Sequence, residues 1–318
     1  MRLLAISLAV AALTSASALA HPAARDSQGP RGRFLNKETP KEQGGKDQEQ
    51  TEGREEVETE DIFGFSVGTD ILAQGKFETS LEGVGTFGRR GGLYRVGLLT
   101  GTLAFAPVDR LSLEFGATGT RVRIRDVPGL NDRDTSGLSS ISTEIKWQIV
   151  KRDEQSPFGL TFVAEPTVGF MDEESGERGR NYDIEMRLAA DTAVIRDKVF
   201  AGVNLIYEAE RFRPRGFEPV ERSSEIGLSG ALAFQAAPNL FIGGEMRYRR
   251  AYEGLALQDF QGHALFLGPT LFSKVGEHLS ISAAWSAQVA GHAVGVPGRL
   301  DLENFSRHEA KLKLSYEF

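Results

Sequence analysis

A chain of 318 residues with 36 glycines, no cysteine and a net charge of -7 is long enough for one large domain or two. Without cysteine it can form no disulfide, thiolate metal site or cysteine-attached lipid. Its mild acidity gives no reason to expect nucleic acid as a partner, and its glycine content suits strand bends and close packing in a barrel.

Met1 to Ala20 has the layout of a secretory signal peptide: Arg2 supplies the positive start, Leu3 to Leu13 the apolar run, and Ala18-Leu19-Ala20 a small-residue cleavage site. The apolar run is too short to cross about 30 Å of hydrocarbon, which takes ~20 residues. No later stretch reaches eighteen consecutive apolar residues, so a membrane location requires a barrel. Residues 21–60 are rich in Gln, Glu, Lys, Arg, Gly and Pro and poor in large apolar side chains. Too little surface can be buried to offset the entropy of ordering, so this stretch is expected to be a disordered, charged leader.

At Asp61 the composition changes to DIFGFSVGTDILAQG, and residues 61–75 are expected to tuck at or inside the periplasmic mouth of a barrel. Phe63-Gly64-Phe65 and Gly68-Thr69-Asp70 resemble the FGFTEGTDIG-like opening of a group of alphaproteobacterial barrel proteins, while Ser66-Val67 and Leu72-Ala73 depart from it.

Residues 76–318 read as twelve strands, at about 76–87, 93–105, 111–123, 138–150, 158–170, 182–195, 199–210, 224–235, 240–252, 260–273, 278–290 and 307–318. Tight, turn-forming stretches follow strands two, four, six, eight and ten. Longer loops, at 126–137, 171–181, 211–222 and 291–306, follow strands three, five, seven and eleven, whereas the link at 88–92 is short. Short turns at one end, long loops at the other and an even strand count fit an outer-membrane barrel with both termini in the periplasm. The strands are also longer than the mean of ~5–6 residues in soluble sheets.

Most strands have one apolar face, as in Ile141, Thr143, Ile145, Trp147 and Ile149, and one polar face, as in Glu144, Lys146 and Gln148; strands two and ten alternate poorly, so ten or fourteen strands also fit. Aromatics near strand ends suggest two interfacial girdles, with Tyr94, Tyr182, Tyr207 and Tyr248 on the outer side and Phe158, Phe272 and Tyr316 on the periplasmic side. The final residues, HEAKLKLSYEF, put Leu312, Leu314, Tyr316 and Phe318 on one face, with Lys311, Lys313 and Glu317 on the other. This ending resembles the terminal strand of Gram-negative outer-membrane β-barrels. The resemblance implies that Leu312, Leu314, Tyr316 and Phe318 are an outer-membrane assembly signal read by the barrel-assembly machinery.

The fold expected is therefore all-β: a transmembrane antiparallel up-and-down β-barrel of about 12 strands, exported to the outer membrane of a Gram-negative bacterium. Its inward face would carry Glu78, Glu82, Glu114, Glu144, Lys146, Glu165, Glu185, Arg187, Glu208, Glu225, Glu245, Arg247, Lys311 and Lys313, with Lys311 and Lys313 facing Glu78 and Glu82 across the seam. Arg121, Arg123 and Arg125 share parity with the lipid face of strand three, where a cation at the bilayer midplane costs ~2–4 kcal/mol. They should lie above the outer boundary, at the level of lipopolysaccharide phosphates, which they are candidates to contact.

Two functions are weighed. One is a channel or transporter for passive, weakly selective passage of small polar solutes; the other is a closed structural or interaction barrel whose lumen is filled by paired charges. A lipid-modifying enzyme is a weaker third reading, because His263, His292 and His308 have no recognisable serine partner. No catalytic residue, cofactor or metal site is expected. In its general features the chain also resembles outer-membrane transporters grouped with aromatic-degradation pathways.

Overall fold

Alternating apolar and polar residues make a strand that can seal lipid on one face and water on the other, and all twelve alternating segments adopt it. The strands are β1 (Phe77–Phe87), β2 (Leu93–Val108), β3 (Leu111–Arg125), β4 (Arg133–Val150), β5 (Phe158–Met171) and β6 (Arg178–Ile195). They continue with β7 (Val199–Pro214), β8 (Glu221–Ala237), β9 (Leu240–Glu253), β10 (Asp259–Val275), β11 (Leu279–Ala293) and β12 (His308–Glu317). Each pairs antiparallel with its neighbours in sequence, and β12 returns to β1 to close the barrel. The computed structural model describes residues 58–153, 156–216 and 219–318. The signal at 1–20 and the leader up to residue 57 lie outside the described residues.

Most strands run past the lengths expected from sequence. β4 begins at Arg133 rather than near Leu138, and β7 continues to Pro214 rather than ending near Glu210. Backbone ladders continue beyond the apolar band because unpaired N–H and C=O groups are costly, and from Arg133 to Ser136 both faces of β4 are polar. The alternation that reveals a strand is therefore lost before the strand ends. At the opposite end the hairpins are tight, and three of them place one residue in the left-handed region: Arg110 (φ 63°), Asp197 (φ 57°) and Gly276 (φ 74°).

The outer wall is apolar. Leu99, Phe115, Trp147, Leu205, Leu232 and Trp285 are among many large side chains that stand exposed on it. Each would forgo about 1.5–3 kcal/mol of burial free energy if left in water, so the wall is matched to hydrocarbon.

Two expected girdle residues face inward instead. Tyr94 is buried with Val96, Val122 and Ile124 and donates its hydroxyl to the Glu174 carbonyl (3.0 Å). Phe272 packs against an internal cluster beside Phe241. The inner face carries apolar residues of its own at these places, so polarity alone did not reveal parity.

At the seam, Phe77 and Phe318 exchange backbone hydrogen bonds of 3.2 and 2.9 Å. Leu312, Leu314, Tyr316 and Phe318 all project outward.

Candidate functional site

The lumen is occupied by the chain's own N-terminal segment. Thr59 and Glu60, assigned by composition to the leader, belong with it: Thr59 is fully buried and Glu60 forms an ion pair with Lys146. We refer to residues 58–75 as the plug.

Its polar core is a clamp around Asp191 of β6. Arg152, in the β4–β5 turn, places Nη1 at 2.6 Å from Asp191 Oδ1 and Nη2 at 2.8 Å from Asp70 Oδ2. Thr59 donates its hydroxyl to Asp191 Oδ2 (2.6 Å) and its amide to Asp70 Oδ2 (2.8 Å), while the Thr69 amide donates to Asp191 Oδ2 (2.7 Å). Gln148 and Thr161 both donate to the Thr69 carbonyl, at 2.9 and 2.6 Å. Arg152 thus offsets the Asp191 charge while hydroxyl and amide donors fill its other acceptor sites, as a buried ion pair requires; the Thr69 hydroxyl has no partner among the described residues.

The tip of the plug is held from the opposite wall. Glu245 accepts from the Phe65 amide (3.1 Å) and the Ser66 hydroxyl (2.6 Å), and Ser229 lies 2.6 Å from the same hydroxyl. Asn204 pairs with both backbone groups of Val67, accepting at 2.8 Å and donating at 2.9 Å, as a neighbouring strand would. Nearer the turns, Lys313 meets Asp61 at 2.9 Å. Burial pushes the Asp61 carboxyl up, but the Lys313 and Lys311 ammonium groups outweigh it and hold it below its ordinary value.

Apolar packing completes the seat of the plug. Phe63 and Ile62 sink into a pocket formed by Phe200, Ala231, Ala233 and Phe241. Gly202 makes room, since a Cβ there would come within 2.8 Å of the Phe63 ring. Gly64, at φ 87°, turns the chain between the two phenylalanines. The Arg247 guanidinium lies 3.9 Å from the centroid of Phe65.

Above the plug is a chamber of roughly 510 Å³ whose lining extends from Phe65 to Phe305 of the β11–β12 loop. It shares Asp172, Glu208, Glu210, Arg249 and other residues with an outer vestibule of roughly 950 Å³. The chamber lining carries eleven carboxylates and three guanidiniums, so its field is negative. Four of the carboxylates are in direct cross-strand register on consecutive strands: Glu165 opposite Glu185, Glu185 opposite Glu208, and Glu208 opposite Glu225. Arg187 meets Glu185 at 2.6 Å, and Arg249 pairs with Glu225. Glu165 and Glu208 have no ion pair among the described residues.

The structure divides the sequence-based lumen residues into three groups, all on inward faces. Glu82, Glu165, Glu185, Glu208 and Glu225 line the chamber. Lys146, Arg187, Glu245, Arg247 and Lys313 touch the plug, with Arg187 and Arg247 also lining the chamber. Glu78, Glu114, Glu144 and Lys311 complete the inner wall; Glu114 stands opposite Glu144, which pairs with Lys146 at 3.0 Å. The seam pairing differs from expectation in one respect. Lys311 meets Glu82 at 2.9 Å, but Lys313 turns to Asp61 of the plug, and no ion pair joins it to Glu78.

Arg121, Arg123 and Arg125 are exposed on the outer wall at the loop end, where Asp134 pairs with Arg121 and lies 4.0 Å from Arg123. Sequence reasoning missed Arg152, which sits in a turn with no periodicity to give it a direction. It also missed Asn204 and Ser229, whose types are ordinary on a polar face.

His263 stacks between Tyr248 and Phe260, and His308 lies beside Trp285.

The same barrel occurs in solved outer-membrane proteins. An outer-membrane channel from Pseudomonas putida F1 superposes with a TM-score of 0.52 at 14% identity, over 83% of this chain and all of that one. The β domain of the Bordetella autotransporter BrkA gives 0.50 at 12%, over 78% of this chain and all of that one. At these identities the likeness establishes the fold, a barrel of the Gram-negative outer-membrane type. No curated protein is significantly similar in sequence. Over residues 55–318, which take in the plug and every strand, the chain belongs to the family of unknown function DUF6662.

Proposed function

We propose that the protein is an outer-membrane channel for passive passage of small polar solutes, with a preference for cations, and that its plug closes the lumen at the turn end. The carrying observation is the register of Glu165, Glu185, Glu208 and Glu225 around one side of the chamber. Like charges directly opposite one another destabilise a sheet, so a purely structural wall has no use for four in succession. A path that concentrates cations does. The likeness in fold to an outer-membrane channel agrees with this reading. Secretory export and recognition of Leu312, Leu314, Tyr316 and Phe318 by the assembly machinery belong to it, and no catalytic step does.

The plug itself favours the second reading, a closed scaffold or interaction barrel. The two separate in a planar bilayer under a salt gradient. For a channel, the reversal potential is cation-selective, and Glu165→Gln with Glu208→Gln brings it toward zero. A folded barrel that passes no current under any condition supports the scaffold.

A further inference from the structure

Arginines on the outer wall of β6, β7 and β8 stand opposite one another. Arg180, Arg211, Arg213 and Arg222 are all exposed. The register sets Arg180 directly across from Arg213 and Arg211 directly across from Arg222. Opposed residues on an antiparallel pair have Cβ atoms ~4.5–5.5 Å apart, where like charges repel. None of the four forms an ion pair among the described residues. Arg121 and Arg123 differ, because Asp134 offsets both.

Position along the strand says what the four arginines face. Tyr182, Ile184, Leu188 and Val194 follow Arg180 on the same exposed face of β6. At ~3.3 Å per residue and a tilt of ~40°, the run from Tyr182 to Val194 spans about 30 Å, one hydrocarbon thickness. Arg180 is the next outward residue beyond that band. On β7, Arg211 lies beyond the apolar stretch that contains Leu205, and on β8 Arg222 precedes the one that contains Leu228.

We propose that these four arginines form a docking site for a phosphorylated glycolipid of the outer leaflet, lipopolysaccharide. Guanidinium groups bind phosphate oxygens bidentately, and a ligand with acyl chains below its phosphates would cover the adjacent apolar wall while neutralising the opposed pairs. The site rests on the outer-membrane reading above; it shares no residue with the chamber and only Arg222 with the outer vestibule.

The test is native mass spectrometry of the full chain, refolded in detergent and titrated separately with lipopolysaccharide, its dephosphorylated form and inorganic phosphate. Arg211→Glu with Arg213→Glu is expected to weaken lipopolysaccharide binding at least tenfold, whereas Arg121→Glu with Arg123→Glu changes it little. Removing the lipid's phosphates should weaken binding to the unaltered protein to a similar degree. Heat-modifiable gel migration reports folding, and should the double reversal not fold, Arg180→Gln with Arg222→Gln carries the same expectation on two other strands. Undiminished binding in the folded variants overturns the site. Inorganic phosphate bound as tightly as the lipid overturns the lipid and leaves a free-anion site. Cell fractionation tests the underlying reading separately: protein found outside the outer membrane removes that reading, whereas outer-membrane protein with unaltered lipid binding removes only the docking site.

Discussion

Arg152 joins two carboxylates that are distant in sequence, Asp191 of the wall and Asp70 of the plug. Removing one partner of such a buried pair costs ~3–5 kcal/mol, because the remaining charge is left without compensation. Arg152→Ala is therefore expected to release the plug while leaving the strand ladder intact. Limited proteolysis should cut within residues 58–75 far faster than in the unaltered protein; equal cleavage rates would remove Arg152 from the account.

Asp61 gives a second prediction at this scale. Its carboxyl is held below the ordinary range mainly by Lys313, against the opposing effect of burial. A depressed folded-state value makes the contact fully effective above the usual aspartate pKa of about 4, and the contribution is lost as pH falls through the lower folded value. Proteolytic release of the plug should thus rise in acid, and Asp61→Asn should flatten that acid dependence.

The plug motif was legible in sequence as a break in composition, and Phe63, Phe65, Thr69 and Asp70 each proved to hold a contact. Arg152 was not legible, because its role depends on a turn folding back beneath the barrel wall.

Among elements, the strands were readable wherever lipid and water lie on opposite faces. Their outer ends were not, because pairing there continues past the apolar band, as at Arg133 to Ser136 of β4, which are polar on both sides. Parity failed where the inner face is apolar, as at Tyr94 and around Phe63. The second cluster receives the plug, and Gly202 leaves the room that the Phe63 ring fills. Gly202→Leu should expel Phe63, expose residues 58–75 to protease and raise basal conductance, while heat-modifiable migration shows that the barrel still forms. Unaltered conductance with an exposed plug would separate closure of the pore from the plug.

For the whole molecule, a negative chamber opens toward the loop end and a folded-in segment occupies the turn end. The absence of native cysteine makes the relation between them directly testable. Ser66 of the plug and Ser229 of β8 have their hydroxyl oxygens 2.6 Å apart, so Ser66→Cys with Ser229→Cys should form a single disulfide that locks the plug in place. The measurement is the single-channel conductance of this variant in a planar bilayer, oxidised and then reduced. The account predicts silence when the disulfide is confirmed by mass spectrometry, and cation-selective openings once it is reduced. Equal currents in the two states would contradict it.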